Sequence, residues 1–233
     1  MIVQPTYTRI DALDPLPYSE SWPSLRSASG RVDVHSLAAF WVLESKLSGH
    51  YLEFGVGAGR SAIAAIRANR RYNPETVARF FLFDSFEGLP PLTGKDVGSQ
   101  QFKGGDYAFS RDSVIQKLTE HGAYDASRVE LVSGFYERSL LGFDTARFGE
   151  RKAAIVHVDV DLYESAATVL RFVTPHVQAG TILLFDDWNT FVADNRRGER
   201  AACREWLAEN PRFSVESYVR YGWHGEGFIV HLA

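Results

Sequence analysis

The feature that most restricts how this chain can fold is a repeated change of hydrophobic period. Five short apolar runs, HYLEFGV, RFFLFD, RVELVS, AAIVHVDV and GTILLFDD, are separated by longer segments. Among these, SAIAAIRANRR, RDSVIQKLTEHG, ESAATVLRFVTPHV and GERAACREWLAEN carry apolar residues at helical spacing. Near-continuous apolar strands are buried on both faces, and strands separated by helices pair in parallel. The expected architecture is therefore α/β: a doubly wound parallel sheet with helices on both faces. FSVESYVRYG and GFIVHLA break the alternation, since the few residues around Trp223 permit only an antiparallel hairpin. That makes seven strands. A helix of about Val32 to Leu47 precedes the first of them.

Two segments fall outside the alternation. Residues 1–30 hold four of the nine prolines, at Pro5, Pro15, Pro17 and Pro23, and read as an irregular arm suited to cover a site or a partner subunit. A homo-oligomer is compatible with that arm. Residues 88–109 form a long glycine- and proline-containing loop after the second strand, at the sheet edge where open α/β proteins bind ligands. It is expected to act as a lid. At 233 residues the whole chain, 1–233, suits one domain.

Composition narrows the partners. Twenty-five Lys and Arg against 29 Asp and Glu leave a net charge of -4, without the basic footprint of a nucleic-acid binder. No apolar run reaches the ~20 residues of a membrane span, and the N-terminus lacks a signal-peptide pattern. Cys203 is the single cysteine, so neither an internal disulfide nor a cysteine-based metal cluster is available. A cytoplasmic protein acting on a small molecule is expected.

Chemistry concentrates at the strand ends. LEFGVGAGRS places Gly55, Gly57 and Gly59 between the first strand and its helix, where free N–H groups and the lack of side chains admit a ligand. The spacing departs from the dinucleotide pattern G-x-G-x-x-G, and Glu53 would repel a pyrophosphate while suiting a ligand amine. Asp84 ends the second strand, the position from which a carboxylate holds ribose hydroxyls. An amine and a ribose together describe S-adenosylmethionine. VHVDVDLYES and LLFDDW add Asp159, Asp161, Asp186 and Asp187 at the ends of the fourth and fifth strands. Period-2 alternation would set Asp159 and Asp161 on one face. Four converging carboxylates repel one another and call for a cation, and an all-oxygen set suits Mg²⁺. Capping of a following helix or loop is the competing use of Asp161 and Asp187.

LEFGVGAGRS, FDSFEGLP, SGFYERSL, VDVDLYES and GTILLFDDW resemble, in order and spacing, the macrocin O-methyltransferase family over about Tyr51 to Trp188. The resemblance implies a Rossmann-like class I fold and S-adenosylmethionine-dependent, Mg²⁺-assisted methylation of a sugar hydroxyl in a natural product. It implies Glu53, Gly55, Gly57, Gly59 and Ser61 beside the methionine moiety, and Asp84 with Ser85 and Phe86 at the ribose. Gly134 and Phe135 would lie by the adenine. It further implies metal ligation by Asp159, Asp186 and Asp187, with Asp161 close by. Asp161, Asp159 and His157 are the catalytic candidates by position, Asp161 or His157 taking the proton. Three rivals stay open: a metal-independent methyltransferase, a nicotinamide oxidoreductase and a non-catalytic binder of the same nucleoside.

Overall fold

A computed structural model of the chain describes residues 33–73 and 75–233. Its strands are β1 Gly49–Phe54, β2 Val77–Asp84, β3 Val129–Ser133, β4 Ala153–Val158, β5 Ile182–Phe185, β6 Phe213–Tyr221 and β7 Gly225–Leu232. They form one sheet in the order β3-β2-β1-β4-β5-β7-β6. β1 to β5 pair in parallel, while β7 lies antiparallel between β5 and β6. The chain reverses its direction of winding between β1 and β4, and a crevice opens at such a switch point beyond the strand ends.

The helices are α1 Val34–Glu44, α2 Arg60–Tyr72, α3 Arg111–Glu120, the single-turn α4 Tyr136–Ser139, α5 Tyr163–Val173 and α6 Gly198–Glu209. Strand alternation sends Tyr51, Phe80, Leu82, Ile155 and Leu184 to one face, against apolar residues of α1, α2 and α3. Phe54, Phe81, Phe83, Val156, Val158 and Phe185 point the other way, against α5 and α6. Phe54 and Phe83 stack with ring centres 4.8 Å apart on that second face, and burying each such side chain is worth about 1.5–3 kcal/mol. The lone Cys203 is buried there, and burial pushes its thiol up to about 12, so it is inert.

Several expectations change in detail. α1 is capped by Asp33, whose carboxylate accepts from Ser36 N at 3.0 Å, and it ends at Glu44. The arm, 1–30, lies outside the described residues. β4 stops at Val158, so Asp159 and Asp161 are not placed by strand alternation; Asp161 instead takes a left-handed backbone, φ 61. Loop 88–109 is packed onto the body: Phe102 is buried against Leu162 and Phe191, and Asp96 caps α5 by accepting from Tyr163 N and Glu164 N. Among the described residues no helix is long and apolar enough to cross a membrane.

Candidate active site

β1 leaves the sheet through Gly55, φ 86, and a Cβ there would stand 1.7 Å from the Asp159 carbonyl oxygen. Only glycine lets these two backbones touch. Asp159 N donates to Phe54 O at 2.9 Å, so the glycine turn and the first aspartate are held as one unit. Asp84 secures the turn from β2: Oδ2 accepts from Val56 N at 2.7 Å and Gly57 N at 3.0 Å, and Oδ1 from Phe86 N at 2.7 Å. Oδ2 thereby uses both of its lone pairs and Oδ1 keeps one, which leaves Asp84 able to accept from a ribose hydroxyl.

These elements border a cleft of about 1020 Å³. Of the residues expected to hold the donor, Gly55, Gly57, Ser61, Asp84, Ser85 and Phe135 line it. Glu53, Gly59, Phe86 and Gly134 are not part of that lining. Gly59 is the N-cap of α2, and Gly134 N donates to Asp84 O. The Glu53 carboxylate is fully buried and accepts from Tyr51 Oη and Ser61 Oγ, each at 2.6 Å. Burial raises Glu53 to about 7, against the pull of those two hydroxyls.

Asp159, Asp161, Asp186 and Asp187 all line the cleft. Burial, and then the charges of Asp186, Asp187 and Asp161, hold Asp159 well above the ordinary carboxylate range. Asp161 is raised likewise, by burial and by its neighbour Asp187. Asp186 is raised by burial and by Asp187, with His224 opposing. The donor set is all oxygen and short of positive charge, which fits a hard divalent cation. Among the described residues, however, no three His, Cys, Asp or Glu side chains stand arranged to hold a metal ion. The expected ligands Asp159, Asp186 and Asp187 are gathered but do not form a ready cage.

His157 lines the cleft on another side of this arrangement, in contact with Tyr51, Glu53 and His35. Sequence reasoning passed over several neighbours. His224, from the β6–β7 turn, bonds the Asp186 carbonyl and sits 3.8 Å from Asp187 Oδ1. It thus lines the cleft as well. Glu199 of α6 is fully buried and accepts from Asp187 N at 3.0 Å and Val160 N at 3.4 Å, tying the two aspartate-bearing loops together. Gly198 before it, φ 54, leaves room for Phe191, whose ring a Cβ would meet at 2.8 Å. His35 and Tyr221 also line the cleft. Their elements lie far from the motifs in sequence, and no local pattern marks them.

The arrangement is a nucleoside-sized cleft with a hydroxyl-binding carboxylate at one end and a proton-accepting, cation-seeking group at the other. The macrocin-O-methyltransferase (TylF) family model matches residues 19–205. The 8-demethyl-8-(2,3-dimethoxy-alpha-L-rhamnosyl)-tetracenomycin-C 4'-O-methyltransferase of Streptomyces olivaceus is 28% identical over 184 residues, 75% of this chain and 67% of that protein. Among solved structures, the O-methyltransferase NovP superposes with a TM-score of 0.68 at 20% identity, covering 84% of this chain and 78% of its own. The calicheamicin methyltransferase CalS11 superposes at 0.66 and 19% identity, covering 98% and 94%.

Proposed function

The chain belongs to the macrocin-O-methyltransferase family and is an S-adenosylmethionine-dependent methyltransferase, and on that premise we propose that it methylates a sugar hydroxyl of a small natural product with the help of Mg²⁺. The observation that carries the metal is the gathering of Asp159, Asp161, Asp186 and Asp187 on one wall of the cleft, where burial and the neighbouring carboxylates raise the proton affinity of Asp159, Asp161 and Asp186. A sugar acceptor is supported by the rhamnosyl substrate in the name of the Streptomyces olivaceus relative. It is also supported by a rim of exposed aromatics, Tyr107, Phe109 and Trp223, suited to stack on a sugar face or an apolar aglycone.

The donor supplies an electrophilic methyl group on a sulfonium that departs as a neutral thioether. Against it, the protein's task is alignment and removal of one proton. Asp84 takes the ribose hydroxyls, the Gly55–Gly59 turn admits the donor against the backbone, and Phe135 borders the adenine end. Asp159, Asp186 and Asp187 would hold the metal, which would supply a Lewis acid for an acceptor hydroxyl. Asp161, at the same wall, receives the hydroxyl proton. Glu199 is a positioning residue, holding both aspartate loops by their backbone N–H groups. Acceptor choice falls to loop 88–109 and the arm.

The test is formation of S-adenosylhomocysteine with sugar-bearing acceptors, with and without EDTA. Activity should vanish in EDTA and return with Mg²⁺, and Asp186→Asn should weaken the Mg²⁺ response at least ~10-fold. Full activity in EDTA would reject the metal and favour the metal-independent reading.

A further inference from the structure

Beside the glycine turn lies a chain of buried polar groups that proton removal from an acceptor does not require. Tyr51 Oη is 2.6 Å from Glu53 Oε2, and the other Glu53 oxygen receives Ser61 Oγ. A phenol has one proton, and here it is committed to the carboxylate. The same phenol oxygen lies 3.5 Å from His157 Nδ1 and meets it as an acceptor. That selects the His157 tautomer protonated at Nδ1 and leaves Nε2 as a bare lone pair.

His157 Nε2 is buried and, among the described residues, has no hydrogen-bond partner. The His157 ring lines the cleft, whereas Glu53 and Tyr51 on its Nδ1 edge do not. The ring of His35 packs edge-on against it with centres 5.3 Å apart; its Nδ1 is likewise buried and unpartnered among the described residues, and it too lines the cleft. Two buried imidazoles with orphaned nitrogens are costly unless a ligand supplies N–H donors.

The sheet says which end of the donor arrives there. Asp84 ends β2, the glycine turn leaves β1, and His157 sits on β4 paired across from Glu53 of β1. A donor whose ribose rests on Asp84 crosses the β1 turn and brings its amino-acid end over β4. That end carries an α-ammonium with three N–H donors.

We propose that His157 Nε2, its tautomer set by Tyr51 and Glu53, accepts a hydrogen bond from the α-ammonium of S-adenosylmethionine, with His35 as the adjoining acceptor. The proposal rests on the donor assignment above and gives His157 a donor-binding role in place of proton removal.

Calorimetric titration without acceptor tests it, using S-adenosylhomocysteine and its analogue lacking the α-amino group. Wild-type protein should prefer S-adenosylhomocysteine by at least about tenfold, the scale of one hydrogen bond to a charged group. In His157→Phe the preference should fall to within about twofold, with affinity for the deaminated analogue unchanged. His157→Gln, whose amide oxygen accepts, should recover part of it. A preference that persists in His157→Phe, or an equal loss for both ligands, would overturn the proposal. Should His157→Phe not fold, Tyr51→Phe decides: it frees the tautomer and should reduce the preference, and an unchanged preference overturns the proposal. Wild-type protein that binds neither ligand would instead refute the donor assignment, and this proposal with it.

Discussion

At Glu53 the carboxyl titrates near neutrality, at about 7, because burial outweighs the hydroxyls of Ser61 and Tyr51. Its folded pKa thus stands above the unfolded value of 4.5. The folded state favours the neutral acid, so the stabilisation is complete below pH ~4.5 and is lost as pH rises through about 7. Denaturant titrations of ligand-free protein from pH 4 to 8 should show wild type losing on the order of 3 kcal/mol relative to Glu53→Gln. A constant difference across that range would mean that Glu53 titrates normally. Residue identity alone foretold an acid beside the glycine turn. It did not foretell that the acid faces Tyr51 and Ser61, because that orientation depends on its cross-strand neighbours.

Loop 88–109 shows at the scale of an element how a long irregular segment becomes part of the body. Asp96 is buried and receives Tyr163 N at 2.8 Å and Glu164 N at 3.1 Å, the free N–H groups at the start of α5. Gln101 Oε1 accepts from Phe191 N at 3.2 Å, and the Phe102 ring meets Phe191 at 5.6 Å. Since α5 begins two residues after Asp161, the loop and the carboxylate wall share one anchor. Asp96→Ala should cost about 1 kcal/mol, as loss of a helix cap does. It should also make cleavage within 88–109 by a nonspecific protease several-fold faster under native conditions. Unchanged protection would show that the apolar contacts suffice. The sequence marked this loop by its glycines and its place after a strand, but its anchoring depends on pairing with residues some 60 to 90 positions away.

For the molecule as a whole, the reversal of winding between β1 and β4 sets one crevice where β2, β1, β4 and β5 all end. A ligand spanning those ends binds only the folded chain. S-adenosylhomocysteine at about 100 times its Kd should therefore add ~2.7 kcal/mol, raising the melting temperature by roughly 5–10 °C for a chain of this size. No shift at saturating concentration would contradict the donor site. By itself the sequence determined the layered α/β architecture, the terminal hairpin and the gathering of carboxylates at one sheet edge. Hydrophobic period is a local property, and parallel strands necessarily end on the same side. Tertiary structure alone decided which side chains meet the cleft. It put Glu53 behind Ser61, ended β4 before Asp159, and brought in His35, Glu199, Tyr221 and His224. Side-chain direction at a strand end depends on where pairing stops and on what packs across from it, and both are set by contacts between residues far apart in the chain.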